Sequence, residues 1–123
     1  MENNKKERAT LPPEITEEVY AIEEQFQNEV IRPIIKTQSD LIKLLVLNQI
    51  KIMKVVFSEL NQLKKEKHLR SLLQQNQQFK REIIGIVIGQ FDIEEIKLYF
   101  SMQKEMNRRI VQIVANRMVD QLA

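Results

Sequence analysis

The sequence predicts an all-α fold, a bundle of four to five helices whose long first helix bends at Pro33. Three observations predict it. Only two glycines and three prolines occur in 123 residues, too few for the turns of an all-β domain. Apolar residues recur at three- and four-residue steps along most of the chain, the spacing that lines one face of a helix. Residues 41–57, LIKLLVLNQIKIMKVVF, are apolar at twelve of seventeen positions, with the lysines kept to one edge of the helical projection.

The chain has the size of one domain and is long enough to bury a self-supporting core. Residues 1–11, MENNKKERATL, are polar and without period, which predicts a flexible arm ahead of a single helical domain over 12–123. Pro12-Pro13-Glu14 reads as a helix start: proline is tolerated in the first turn, and Glu14, Glu17 and Glu18 complement the positive helix end. Ile15, Val19, Ile22, Phe26 and Val30 then form an amphipathic stripe.

Pro33 lacks a backbone donor and crowds the preceding turn. The apolar phase nevertheless continues through Ile34, Leu41, Leu45, Ile52 and Val56. Arg32-Pro33 therefore predicts a kink in one helix, with two helices meeting at a tight corner as the alternative. On the projection of 41–57, Lys36, Asp40, Lys43, Lys51, Lys54 and Ser58 gather on one side, where only Leu47 and Ile50 intrude. A helix apolar over more than half its circumference predicts a central position, covered by this chain or by another copy.

Ser58-Glu59-Leu60-Asn61 is the first expected reversal, with Ser58 or Asn61 as a cap. A helix carrying Leu63, Leu69, Leu72 and Leu73 follows to about Gln75. Asn76 caps a fourth, which carries Phe79 and the run 83–88. That β-branched run also suits a buried strand, but nothing else in the chain would pair with it. Gly89 ends the element, and Gly85 marks a place for a neighbour's bulky side chain. Asp92 and Glu95 form a capping box for the last helix, which runs to about Gln121 with Ile96, Tyr99, Phe100, Met106, Ile110, Ile113, Val114 and Met118 inward. Phe26, Leu44, Leu45, Phe100 and Met106 are the expected core anchors.

Chemistry is mostly excluded. No cysteine occurs and His68 is the only histidine, so thiolate chemistry and the paired Glu-x-x-His motifs of di-iron bundles are absent. His68 with Ser71 offers no oriented third group for a nucleophile. The acidic pairs Glu17-Glu18, Glu23-Glu24 and Glu94-Glu95 suit helix starts and polar faces. Neither catalysis nor a cofactor or metal is expected.

Gln103 and Asn107, one turn apart near Phe100 and Ile110, need hydrogen-bond partners if buried. They would set register between helices, or line a ligand pocket with Met53, Tyr99 and Met102. The stretch Lys64, Lys65, Lys67 and Arg70 is a possible anion patch. With a net charge of only +2 and no stacking rings beside it, nucleic-acid binding is not expected. Three lysines within 41–57 oppose a membrane span, and no basic start precedes an apolar run at the N-terminus. Cytoplasmic residence is the expectation.

Phe26-Gln27-Asn28, Arg32-Pro33-Ile34, Lys36, Gln38, Asp40, Ile88-Gly89-Gln90-Phe91 and Asn107-Arg108-Arg109 together resemble a group of short uncharacterised bacterial proteins, some automatically labelled glyoxalase. The resemblance spans about residues 13–120 and implies an all-helical fold. Glyoxalase-type enzymes are metal-dependent, with His and Glu ligands on a βαβββ scaffold, and a single histidine without strands does not supply that. The expected role is interaction: a homodimer, or a module that meets another helical protein.

Overall fold

A computed structural model describes residues 16–123, and among these every regular element is helical. The expected arm and the helix start at Pro12–Glu14 lie outside the described residues. The first described helix, α1 (Glu17–Phe26), opens at Thr16, whose extended backbone turns its Oγ1 to accept the Val19 N–H at 3.1 Å. Glu17 and Glu18 fill the first turn, where the peptide dipoles favour negative charge.

The chain passes without a loop from α1 through a π-helical turn, Gln27–Ile31, into α2 (Arg32–Thr37). The Arg32 N–H bonds back five residues to the Gln27 carbonyl. The proline explains this widened turn. Pro33 has no N–H to give, and its ring would press on the carbonyl one turn back; extra room there relieves the crowding. One helix therefore runs through Arg32-Pro33, and the irregularity lies in the turn before the proline.

A single turn residue, Gln38, separates α2 from α3 (Ser39–Ile52). The Gln38 N–H donates to the Ile34 carbonyl at 2.8 Å, and the Gln38 carbonyl accepts the Ile42 N–H at 3.0 Å. Hydrogen bonding thus continues along a rod from Glu17 to Ile52.

The rod ends earlier than the sequence suggests. Val55 N–H reaches the Ile50 carbonyl, Lys54 N–H reaches that of Lys51, and Lys54 itself has φ 61°. This is a Schellman closure with lysine where glycine is usual. Without the glycine signal, the reversal was expected four residues later, at Ser58–Asn61. A short 3-10 turn, Phe57–Glu59, then leads to α4 (Gln62–Gln75), capped by Asn61. Asn76 caps α5 (Gln77–Ile88) by accepting the Phe79 N–H at 3.1 Å. Residues 83–88 are thus helix and not strand. Gly89 ends α5, but Gly85 is exposed, and a Cβ there would meet nothing within 4 Å. No neighbour packs onto it.

The Asp92–Glu95 capping box is present, with both reciprocal bonds, and starts α6 (Ile93–Ser101). The expected single last helix breaks at Met102 (φ −141°), and α7 (Gln103–Leu122) follows. Tyr99 and Asn107 are bonded across this corner. In an unbroken helix they would stand about 12 Å apart along the axis, so the break is what lets them meet. It also turns Phe100 outward, 64% exposed, and corrects its placement as a core anchor.

With the rod taken as one unit, the bundle has five helical parts. The central one is α7, which meets α4, α5, α6 and the rod. It buries Met106, Ile110, Val111, Val114, Ala115 and Met118 on adjoining faces. Helix α3 does not hold the centre within one chain. It buries Ile42, Val46 and Ile50, while Leu44 is 66% and Ile52 62% exposed, and Leu41, Leu47, Met53 and Val56 also face outward. Ile50, which projects onto the expected wet edge, is inside; Leu44, an expected anchor, is outside. Phe26 and Met106 are buried as expected, and Leu45 is half-buried against the core.

Candidate functional site

The densest polar assembly surrounds Arg109 on α7. Its side chain is only 7% exposed, deep for a guanidinium, which normally stays inside only when paired. Its Nε donates to Glu105 Oε2 at 2.6 Å, and Nη1 donates to Glu24 Oε2 at 2.7 Å and to Gln27 Oε1 at 3.1 Å. Nη2 stands 3.6 Å from Glu23 Oε1, and the group lies 5.7 Å from the Tyr20 ring centroid. Arg108 grips Glu105 from the other side, at 2.7 and 3.0 Å. One guanidinium thus ties α1 and the π turn to α7.

Two carboxyls respond in opposite ways. Hydrogen bonding from Arg108 holds Glu105 down at about 2, against desolvation and with help from Arg109. Burial pushes Glu23 up; Arg109 opposes that, and the neighbouring Glu105 adds to it. Neither group has a nucleophile or a histidine beside it, and among the described residues no cluster of His, Asp or Glu is arranged to hold a metal. The arrangement serves as a cross-link. The sequence suggested a helix start or polar face for Glu23 and Glu24, although Arg109 falls in phase with Met106 and Ile110, and that phase was the available signal.

Two clefts flank the ridge Glu105–Arg108–Gln112. One, of about 440 Å³, opens beside the Arg109 cluster toward Tyr20 and Arg32. The other, of about 870 Å³, lies between α5 and α7, with Lys80, Arg81, Lys104 and Arg108 on its walls. A third, of about 450 Å³, has Ile22, Phe26 and Val30 in its lining and Glu29, Asp92 and Glu94 around them.

The sequence-based candidates scatter. Asn107 is half-buried and accepts the Tyr99 hydroxyl; Gln103 is exposed rather than buried. Burial pushes the Tyr99 phenol up, while hydrogen bonding with the side chains of Asn107 and Gln103 opposes the rise. The pair therefore organises the α6–α7 corner. Met53 is exposed at the end of α3, Met102 is half-buried at the corner, and neither lines any of the three clefts with Tyr99. Lys64 and Lys67 are exposed, but Lys65 lies 5.6 Å over the Phe57 ring. Arg70 bonds Glu66 at 3.1 Å and Asn116 at 2.9 Å, which spends half of that patch on internal ties. Arg32, at the bend, donates to Asn28 at 3.1 Å.

The His68 ring packs near Phe57, 6.2 Å between centroids, and its buried Nε2 has no partner among the described residues. Arg117 meets no carboxylate among the described residues; it and Gln121 both donate to the buried Ser39 hydroxyl, at 2.9 and 3.2 Å, and so join α7 to α3.

Compared with known proteins, the chain matches no family model, no curated protein and no solved structure. Among the described residues no helix is long and apolar enough to cross a membrane.

Proposed function

We propose that this protein is a cytoplasmic interaction module that assembles as a homodimer through the outer face of α3. One observation carries the reading: a helix with eight apolar residues of fourteen leaves Leu41, Leu44, Leu47 and Ile52 exposed in the single chain. A contiguous apolar face on an otherwise charged surface marks a place where another macromolecule sits.

The pattern on that face favours a second copy. At 100° per residue, Asp40, Leu44, Leu47 and Lys51 fall within about 60° of one another on α3. Asp40 and Lys51 are equally far from the midpoint between Leu44 and Leu47. A two-fold axis through that midpoint, with the two α3 helices antiparallel, would bring Leu44 against the partner's Leu47. The same operation sets Asp40 opposite the partner's Lys51. Such self-complementarity is what an isologous interface requires.

Sedimentation equilibrium tests the proposal. The expected species has twice the 14.6 kDa chain mass, and Leu44→Glu converts it to monomer. Asp40→Lys and Lys51→Glu each weaken the dimer, and the two together restore it. A chain that stays at 14.6 kDa over a wide concentration range defeats the proposal.

A further inference from the structure

The largest of the three clefts shares no lining residue with the proposed dimer face, and its chemistry differs. On α5, Gln77, Lys80, Arg81 and Ile84 are spaced three and four apart, so they share one side of that helix. On α7, Lys104, Arg108, Val111 and Gln112 do the same. These two sides face each other across the groove of about 870 Å³. Ile84 and Val111, both almost fully buried, give it an apolar floor. Among the described residues its only carboxylate, Glu105, is already bound by Arg108 and Arg109.

Among the described residues no carboxylate lies within ion-pair distance of Lys80, Arg81 or Lys104. Three cations therefore line one concavity, and among the described residues no carboxylate pairs with them. The guanidinium groups of Arg70 and Arg109, by contrast, each meet a carboxylate. Convergent cations in a concave site concentrate the local field and attract a compact multivalent anion.

We propose that the α5–α7 groove binds a small molecule carrying two or more phosphates. Lys80, Arg81 and Lys104 would take the phosphates, and the amides of Gln77 and Gln112 would bond the rest of the ligand over the apolar floor. A nucleic-acid strand suits the groove less well, because among the described residues no aromatic side chain lines it to stack bases.

Calorimetric titration with inorganic tripolyphosphate, and in parallel with a nucleoside triphosphate and a single-stranded RNA oligonucleotide, tests this. Tripolyphosphate binds at low salt and weakens as salt rises. Arg81→Glu with Lys104→Glu weakens it at least about tenfold, since losing even one charge-assisted contact costs that much. The neutral pair Arg81→Gln and Lys104→Gln acts in the same direction, and decides the matter if the charge-reversed chain loses its helical circular dichroism. Lys64→Glu with Lys67→Glu, the same charge change elsewhere, leaves binding within about twofold. A tighter nucleoside triphosphate adds the floor and amides to the site. No tripolyphosphate binding, or equal weakening in both charge-reversed chains, overturns the proposal. So does an RNA oligonucleotide that binds more tightly than either small anion and is lost in the Arg81/Lys104 chain.

Discussion

Helices α3 and α7 invert the relation between greasiness and burial. Helix α3 has the longest run of large aliphatics in the chain, yet shows Leu41, Leu44, Leu47 and Ile52 to solvent. Helix α7 carries four arginines or lysines and three glutamines, yet lies at the centre with Met106, Ile110, Val114 and Met118 sealed. The difference is coverage. Helix α3 ends a rod whose inner edge alone is packed, whereas α7 returns through the middle and is met from several directions. A central helix can carry charge if each buried charge has a partner: Arg109 has three carboxylates, and Arg117 has Ser39. An apolar face left uncovered by the described residues instead calls for cover from elsewhere.

Substitutions can break this contrast. The largest expected effect is at Arg109, since removing one member of a buried ion cluster leaves the others unpaired, and Arg109→Ala should cost about 3–5 kcal/mol in urea unfolding. Ile110→Ala, on the same helix and fully buried, should cost about 2–5 kcal/mol through lost burial and the cavity left behind. If either falls below about 1 kcal/mol, α7 is not the centre of the fold.

Acid titration sharpens the picture. Glu105 sits at about 2 against an ordinary 4.5, so its contribution is full above 4.5 and is lost as pH falls toward 2. Glu23 is raised by burial and works the other way: it contributes below 4.5 and loses that contribution as pH rises through its folded value. Glu105→Gln should therefore flatten the acid limb of stability between pH 4.5 and about 2, followed by circular dichroism. An unchanged limb means that the arginine clamp contributes nothing to folding. The smallest effect belongs to α3. Leu44→Ala should shift the unfolding free energy of dilute monomer by no more than about 0.5 kcal/mol, while shifting association at high concentration.

Much of the layout was legible beforehand because local rules govern it. Asn76 and Asp92 have side chains that can accept the free N–H groups of a helix start, and both cap helices where expected. Pro33 stayed within a helix because the apolar phase persisted across it. Two ends were missed for want of a glycine: Lys54 adopts a positive φ that lysine does not advertise, and Met102 breaks the last helix without any breaker residue. The site was less legible still. Glu23 and Glu24 each lie more than eighty positions from Arg109, and no spacing rule joins residues that meet only through packing.

By itself the sequence determined that this chain is helical, where most helices begin, and which segment is too apolar to be content in water. Those properties depend on neighbours within a turn or two. Tertiary structure alone decided which helix lies in the middle, which face of α3 is left bare and that Arg109 meets its carboxylates. The physical reason is that burial belongs to the assembled surface: a side chain is dry only when another part of the molecule arrives to cover it.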